Sequence, residues 1–186
     1  MKGGQIVRYK LLAILILGFL GALSTNCSFP PVPMDVYKEP QFKIEYPKGW
    51  EVGHVGLGDF SVALFSSQKI HVENLLELQD VMDTIPFFLI MVFENPDTSS
   101  EFKIIQEDDL GANEEFVERH DITIDEAKGE LAVVKGKHFD ETEYYLFYCG
   151  GQRDDHMAVV MFGYAPKGER DLRVFRYMSR SFRFTI

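Results

Sequence analysis

The sequence predicts an α+β domain, a large antiparallel sheet with about three helices on its faces. Three observations carry this. Short runs of alternating or continuous apolar residues recur from Phe42 onward, with glycine, proline or acidic residues between them. Three stretches alone show helical spacing or a helix start. One run, Phe87–Glu94 (FFLIMVFE), is nearly continuous in apolar residues, as a central strand covered on both faces requires.

Taken in order, the chain opens with Lys2, Arg8 and Lys10 and continues into the apolar block Leu11–Leu23. That block is thirteen residues, interrupted by Gly18 and Gly21, whereas a helix crossing the hydrocarbon takes about 20 mainly apolar residues. A basic start, a short apolar core and a small-residue exit describe an export signal, assigned here to residues 1–27. Three fates stay open. Ser24-Thr25-Asn26-Cys27 resembles a bacterial lipoprotein box, in which Cys27 is acylated and becomes the first mature residue. Ala22-Leu23-Ser24 offers ordinary cleavage after Ser24 and a soluble secreted chain. Snorkelling by Arg8 and Lys10 would let the segment remain as an uncleaved anchor. All three place the remainder outside the cytoplasm, and two make the membrane a partner through the N-terminal anchor. Residues 28–41 (SFPPVPMDVYKEPQ) hold four of the eight prolines and read as an extended linker, able to span roughly 40 Å at ~3.1 Å per residue.

Residues 42–186 form one domain by length. Phe42–Tyr46 and Trp50–Val52 alternate on either side of Pro47-Lys48-Gly49, which predicts a hairpin closed by a type I turn and a left-handed glycine. Phe60–Phe65 is a strand, as is Phe87–Glu94. Val117–Ile124, Leu131–Phe139, Tyr144–Cys149 and Met157–Tyr164 form an antiparallel meander punctuated by Lys128-Gly129, Asp140-Glu141 and Gly150-Gly151. Ser181–Ile186 alternates as a last strand. Helices are expected over Val72–Asp83, over Ser99–Asp109 from its capping serine, and over Lys167–Arg180, where Leu172, Phe175 and Ser179 share a face.

The entry FKIEYPKGW, the strand ending VALFSS, the FFLIMVFE strand followed by a helix, and the YYLFYC–MAVVMFGYAP hairpin leading through a helix to SFRF resemble the PsbP-like domains. The resemblance covers residues 42–186 and implies an α/β/α sandwich. The namesake is an extrinsic photosystem II subunit, and a eukaryotic relative releases nucleotide from a nuclear-transport GTPase. No functional residue of either role has a match here. What the resemblance implies is the habit of the fold, a binding or assembly module more than a catalyst, with many bacterial relatives of the exported lipoprotein type. Together with the signal, the spacer, the single domain and the missing catalytic motif, the expectation is an envelope module that catalyses nothing and needs no cofactor.

Charge narrows the partners. The chain carries 19 basic and 29 acidic residues, net −10, and residues 1–26 hold three positives and no acid, leaving −13. Such a body argues against nucleic acid and against broad adhesion to anionic lipid. No G-x-S-x-G elbow and no phosphate-cradling glycine loop occurs, so an extracytoplasmic enzyme is only a third class. Arg170, Arg173, Arg176 and Arg180 step along one side of the last helix, a reversal of field suited to a phosphate or carboxylate partner or to anionic headgroups beneath the tether. Arg173, Arg176 and Arg180 are the candidate partner-binding residues, beside the alternative that they pair with the chain's own acids. Asp108, Asp109 and Asp121 lie in an acidic stretch with His120 and are candidate ligands for a divalent cation, or else a solvated face. Hence the alternative function is a small-ligand or divalent-cation binder. Trp50 and Tyr144, Tyr145 and Tyr148 either line a groove or pack in the interior. Cys149, in an apolar run, reads as a buried free thiol.

Overall fold

The computed structural model describes residues 30–57, 60–70, 84–94, 104–153 and 157–185. Within them the chain is a mixed α+β fold: two antiparallel sheets and one α-helix. The larger sheet contains β3 (Glu51–Leu57), β4 (Phe60–Ser66), β5 (Phe87–Glu94), β6 (Glu114–Ile124), β7 (Ala127–Lys137), β8 (Glu143–Gln152) and β9 (Met157–Ala165), ordered β3-β4-β5-β9-β8-β7-β6. β5 therefore lies inside the sheet, and its alternate residues enter two different cores. Phe88 and Ile90 join Phe65, Val133, Phe147 and Met161 on one face, while Phe87 and Leu89 join Leu64, Val134, Leu146 and Tyr164 on the other. Period-two alternation in a strand with two buried faces produces the unbroken apolar run.

The smaller sheet is β1 (Met34–Lys38), β2 (Phe42–Pro47) and β10 (Arg183–Phe184), in the order β1-β2-β10. It corrects the expected hairpin. β2 and β3 flank a real turn, Trp50 N–H donating to Pro47 O at 3.0 Å, but they belong to different sheets. Gly49 sits at the third turn position with φ +86°, the type II arrangement in which glycine relieves the clash of a left-handed residue. Alternation marks a strand without naming its neighbour, and both edges of β2 are taken by β1 and β10. β1 itself arises within the stretch expected as a spacer: five of its residues pair with β2, and Pro33 O accepts from Lys48 N–H at 2.8 Å.

The helix α1 (Glu169–Ser181) lies where helical spacing places it. Leu172, Phe175 and Met178 are fully buried against the first core, and Ser179 is buried beside them. Phe175 fills the space that Gly163 leaves in β9; a Cβ at Gly163 would stand 2.6 Å from its ring. Ser181 Oγ accepts from Glu45 N–H at 3.0 Å, and the Tyr177 hydroxyl donates to Glu45 Oε2 at 2.7 Å, fixing α1 to β2. Helices are fewer than expected. Val72–Asp83 lies outside the described residues, as do residues 99–103. The rest of Ser99–Asp109 holds only a single 3-10 turn, Glu107–Asp109. There the Asp109 carboxylate accepts from Gln106 N–H at 2.8 Å, and an aspartate bonding nearby backbone favours a turn over a continued helix.

Two dipeptides expected as turns, Lys128-Gly129 and Gly150-Gly151, are interior to strands. Gly129 lies in β7 and Gly150-Gly151 in β8, and a Cβ on Gly129 would meet Gly150 O at 1.8 Å. Glycine is needed there for close approach of two backbones. The β6–β7 turn falls instead at Asp125 and Glu126, with φ 45° and 74°. The last strand is shorter than Ser181–Ile186, because Ser181 closes α1.

Candidate functional site

A cleft of about 430 Å³ opens where the first half of α1 meets the ends of the two sheets. The β2–β3 turn supplies Pro47, Lys48 and Trp50; the β4 exit and β5 entry supply Ser67 and Pro86; α1 and the turn before it supply Lys167, Arg170, Asp171, Arg173 and Val174. Pro31 and Val32 form the remaining rim. Local bonds set these pieces. The Lys48 N–H bond to Pro33 O ties the N-terminal stretch to the turn, and Ser67 N–H donates to Pro86 O at 3.4 Å. Trp50 meets Phe175 edge-on, with centroids 6.4 Å apart, so the same ring that seats α1 also supports the cleft wall.

Four cations, Lys48, Lys167, Arg170 and Arg173, thus line one cleft in a chain of net −10. Its one carboxylate, Asp171, is 6 % exposed and already engaged: Oδ2 accepts from Lys167 N–H at 2.9 Å. Burial pushes the Asp171 carboxyl up, opposed by that backbone donor and by the charges of Lys167 and Arg170. Arg170 and Arg173 are exposed, and neither forms an ion pair among the described residues. Free guanidinium and ammonium groups beside an indole suit an anionic group of phosphate or carboxylate chemistry. A volume of this size also lies in the range of small-ligand pockets.

The arginine row divides. Arg173 lines the cleft, as does Arg170. Arg176 pairs with Glu118 on β6 and, at 3.4 Å, with Glu169, the self-pairing alternative. Arg180 is exposed at the far end of α1, where its backbone carbonyl accepts from Arg183 Nη1 at 2.7 Å. The acidic candidates do not gather. Asp108 and Asp109 sit in the 3-10 turn, and Asp121 stands on β6 opposite Glu130. Among the described residues no three His, Cys, Asp or Glu side chains are grouped to hold a metal ion. Cys27 lies outside the described residues. Tyr144 packs on the sheet's second face and donates to Glu114 Oε1 at 2.7 Å. Lys48 and Lys167 were not legible as site residues, since only the tertiary fold brings the β2–β3 turn beside α1. Cys149 is buried, and burial pushes its thiol up to about 12.

No family model matches the chain, and no curated protein matches it either. Among the described residues, no helix is long and apolar enough to cross a membrane.

Proposed function

We propose that this chain is an exported, membrane-tethered and non-catalytic binding module of the cell envelope, built on a PsbP-like α/β/α sandwich, whose basic cleft receives an anionic group of its partner. The observation that carries the reading is the convergence of Lys48, Lys167, Arg170 and Arg173 beside Trp50 in an otherwise acidic chain. The Leu11–Leu23 block and the Ser24–Cys27 box support export and acylation. A small-ligand carrier is the second reading, favoured by the cleft volume; the acidic segment gives a divalent-cation binder no comparable support.

Membrane fractionation combined with intact mass of the N-terminus tests the tether. The expected result is a membrane-bound chain beginning at acylated Cys27, and release of the C27S variant into the soluble fraction. Recovery of an unprocessed chain dissolved in the cytosol overturns the reading.

A further inference from the structure

The length of chain between anchor and cleft says which anion is closest to hand. β1 takes Met34–Lys38 out of the stretch expected as a spacer, and Pro31 already forms the cleft rim. Only three residues lie between Cys27 and Pro31, and the four residue steps, at ~3.3–3.6 Å each, reach at most roughly 14 Å. Behind Pro31, the Pro33–Lys48 backbone bond fixes the strand to the turn that carries Lys48. A tether at Cys27 therefore keeps the cleft rim within that reach of the lipid headgroups.

We infer that the cleft lined by Lys48, Lys167, Arg170 and Arg173 binds the phosphate of an anionic phospholipid headgroup in the bilayer that carries the anchor. The inference rests on the tethered reading proposed above. Charge decides how the docking works. The mature body is acidic overall, so an untethered domain is repelled from an anionic surface at long range. Tethering replaces that encounter by an effective concentration in the millimolar range, about that of a short linker, so a weak local site suffices. The cleft cations share a rim with Pro31, so the tether brings them toward the headgroups, where charges interact within the Debye length of about 8 Å at physiological salt. Trp50, at the cleft wall, has the amphipathic ring that favours the membrane interface.

The protein provides its own probe, because Trp50 is its single tryptophan. The full chain, reconstituted through its anchor, is placed in nanodiscs of phosphatidylcholine with or without phosphatidylglycerol, both containing a headgroup spin-labelled lipid. Trp50 quenching should rise with phosphatidylglycerol. R170E/R173E should reduce that rise at least tenfold, since each cation near an anionic surface is worth about fivefold, with R170Q/R173Q intermediate and R180E like the parent. Far-UV circular dichroism checks that these exposed substitutions leave the fold intact. Quenching that ignores phosphatidylglycerol in a chain still anchored overturns the headgroup assignment and leaves the tethered module standing. Failure to anchor at all removes the tethered reading itself. Polyglutamate that abolishes the quenching in phosphatidylglycerol discs, where inorganic phosphate at the same ionic strength does not, assigns the cleft to an acidic protein and also overturns the inference.

Discussion

Phe175→Ala tests how α1 is seated and, through Trp50, how the cleft wall is held. Phe175 is fully buried, with ring centroids 5.2 Å from Phe88, 6.0 Å from Phe147 and 6.4 Å from Trp50. Truncating a buried phenylalanine costs about 3–5 kcal/mol, the upper part applying where the surroundings cannot collapse. Three large aromatic neighbours, two of them fixed in strands of the central sheet, favour about 4 kcal/mol. In a chain of this length each kcal/mol lowers Tm by about 2–4 °C, so the expected fall is roughly 8–16 °C. Calorimetry and urea unfolding measure it, with an unchanged denaturant slope as the sign of an intact fold. Gly163→Ala forces a Cβ to 2.6 Å from the same ring and should cost about 1–3 kcal/mol by overpacking. In the F175A background that penalty should vanish, giving a coupling of at least about 1 kcal/mol. A loss below about 1 kcal/mol for F175A, or strict additivity of the pair, would refute the seating described here.

Asp171→Asn keeps an acceptor for Lys167 N–H and removes the buried charge. A carboxyl raised by burial in the folded state weakens stability as pH climbs from its ordinary 3.8 through the raised value. The variant should therefore be more stable than the parent at neutral pH and lose that advantage as pH falls below 4, read by thermal melts across pH. Arg176→Ala breaks a partly exposed pair joining α1 to β6 and should cost up to about 1 kcal/mol, less at high salt. In a C27S chain, Cys149 should resist a thiol reagent until denaturant is added, when one thiol per chain reacts; rapid reaction in the native state contradicts its burial. Glu126→Gly relieves a left-handed residue in the β6–β7 turn and should stabilise by up to about 1 kcal/mol in urea titration.

Much of the larger sheet was legible because its information is local. A strand buried on two faces, such as β5, must be apolar throughout, and the helical spacing of Leu172, Phe175 and Ser179 has no other reading than a buried helix face. What failed was partnership. Phe42–Tyr46 alternates identically whether it pairs with Trp50–Val52 or with Met34–Lys38, and nothing nearby in sequence distinguishes them. Gly129 and Gly150 misled for a related reason, since glycine serves backbone contact as well as turns. At the site, helical spacing aligned Arg173 with Arg176, but their environments separate them: one faces the cleft and the other faces Glu118. Lys48 and Lys167, so distant along the chain, could be joined only by the folded turn.

The smaller sheet carries a consequence for when this chain can fold. β2 is flanked by β10, and the Thr185 hydroxyl donates to Pro40 O across 145 positions of sequence. Phe182 and Phe184 complete the core over Phe42. A nascent chain emerging N-terminus first therefore holds β2 with one bare edge until synthesis of the C-terminal segment is finished. Such long-range closure is slow, so the smaller sheet and the core over Phe42 are completed late in folding.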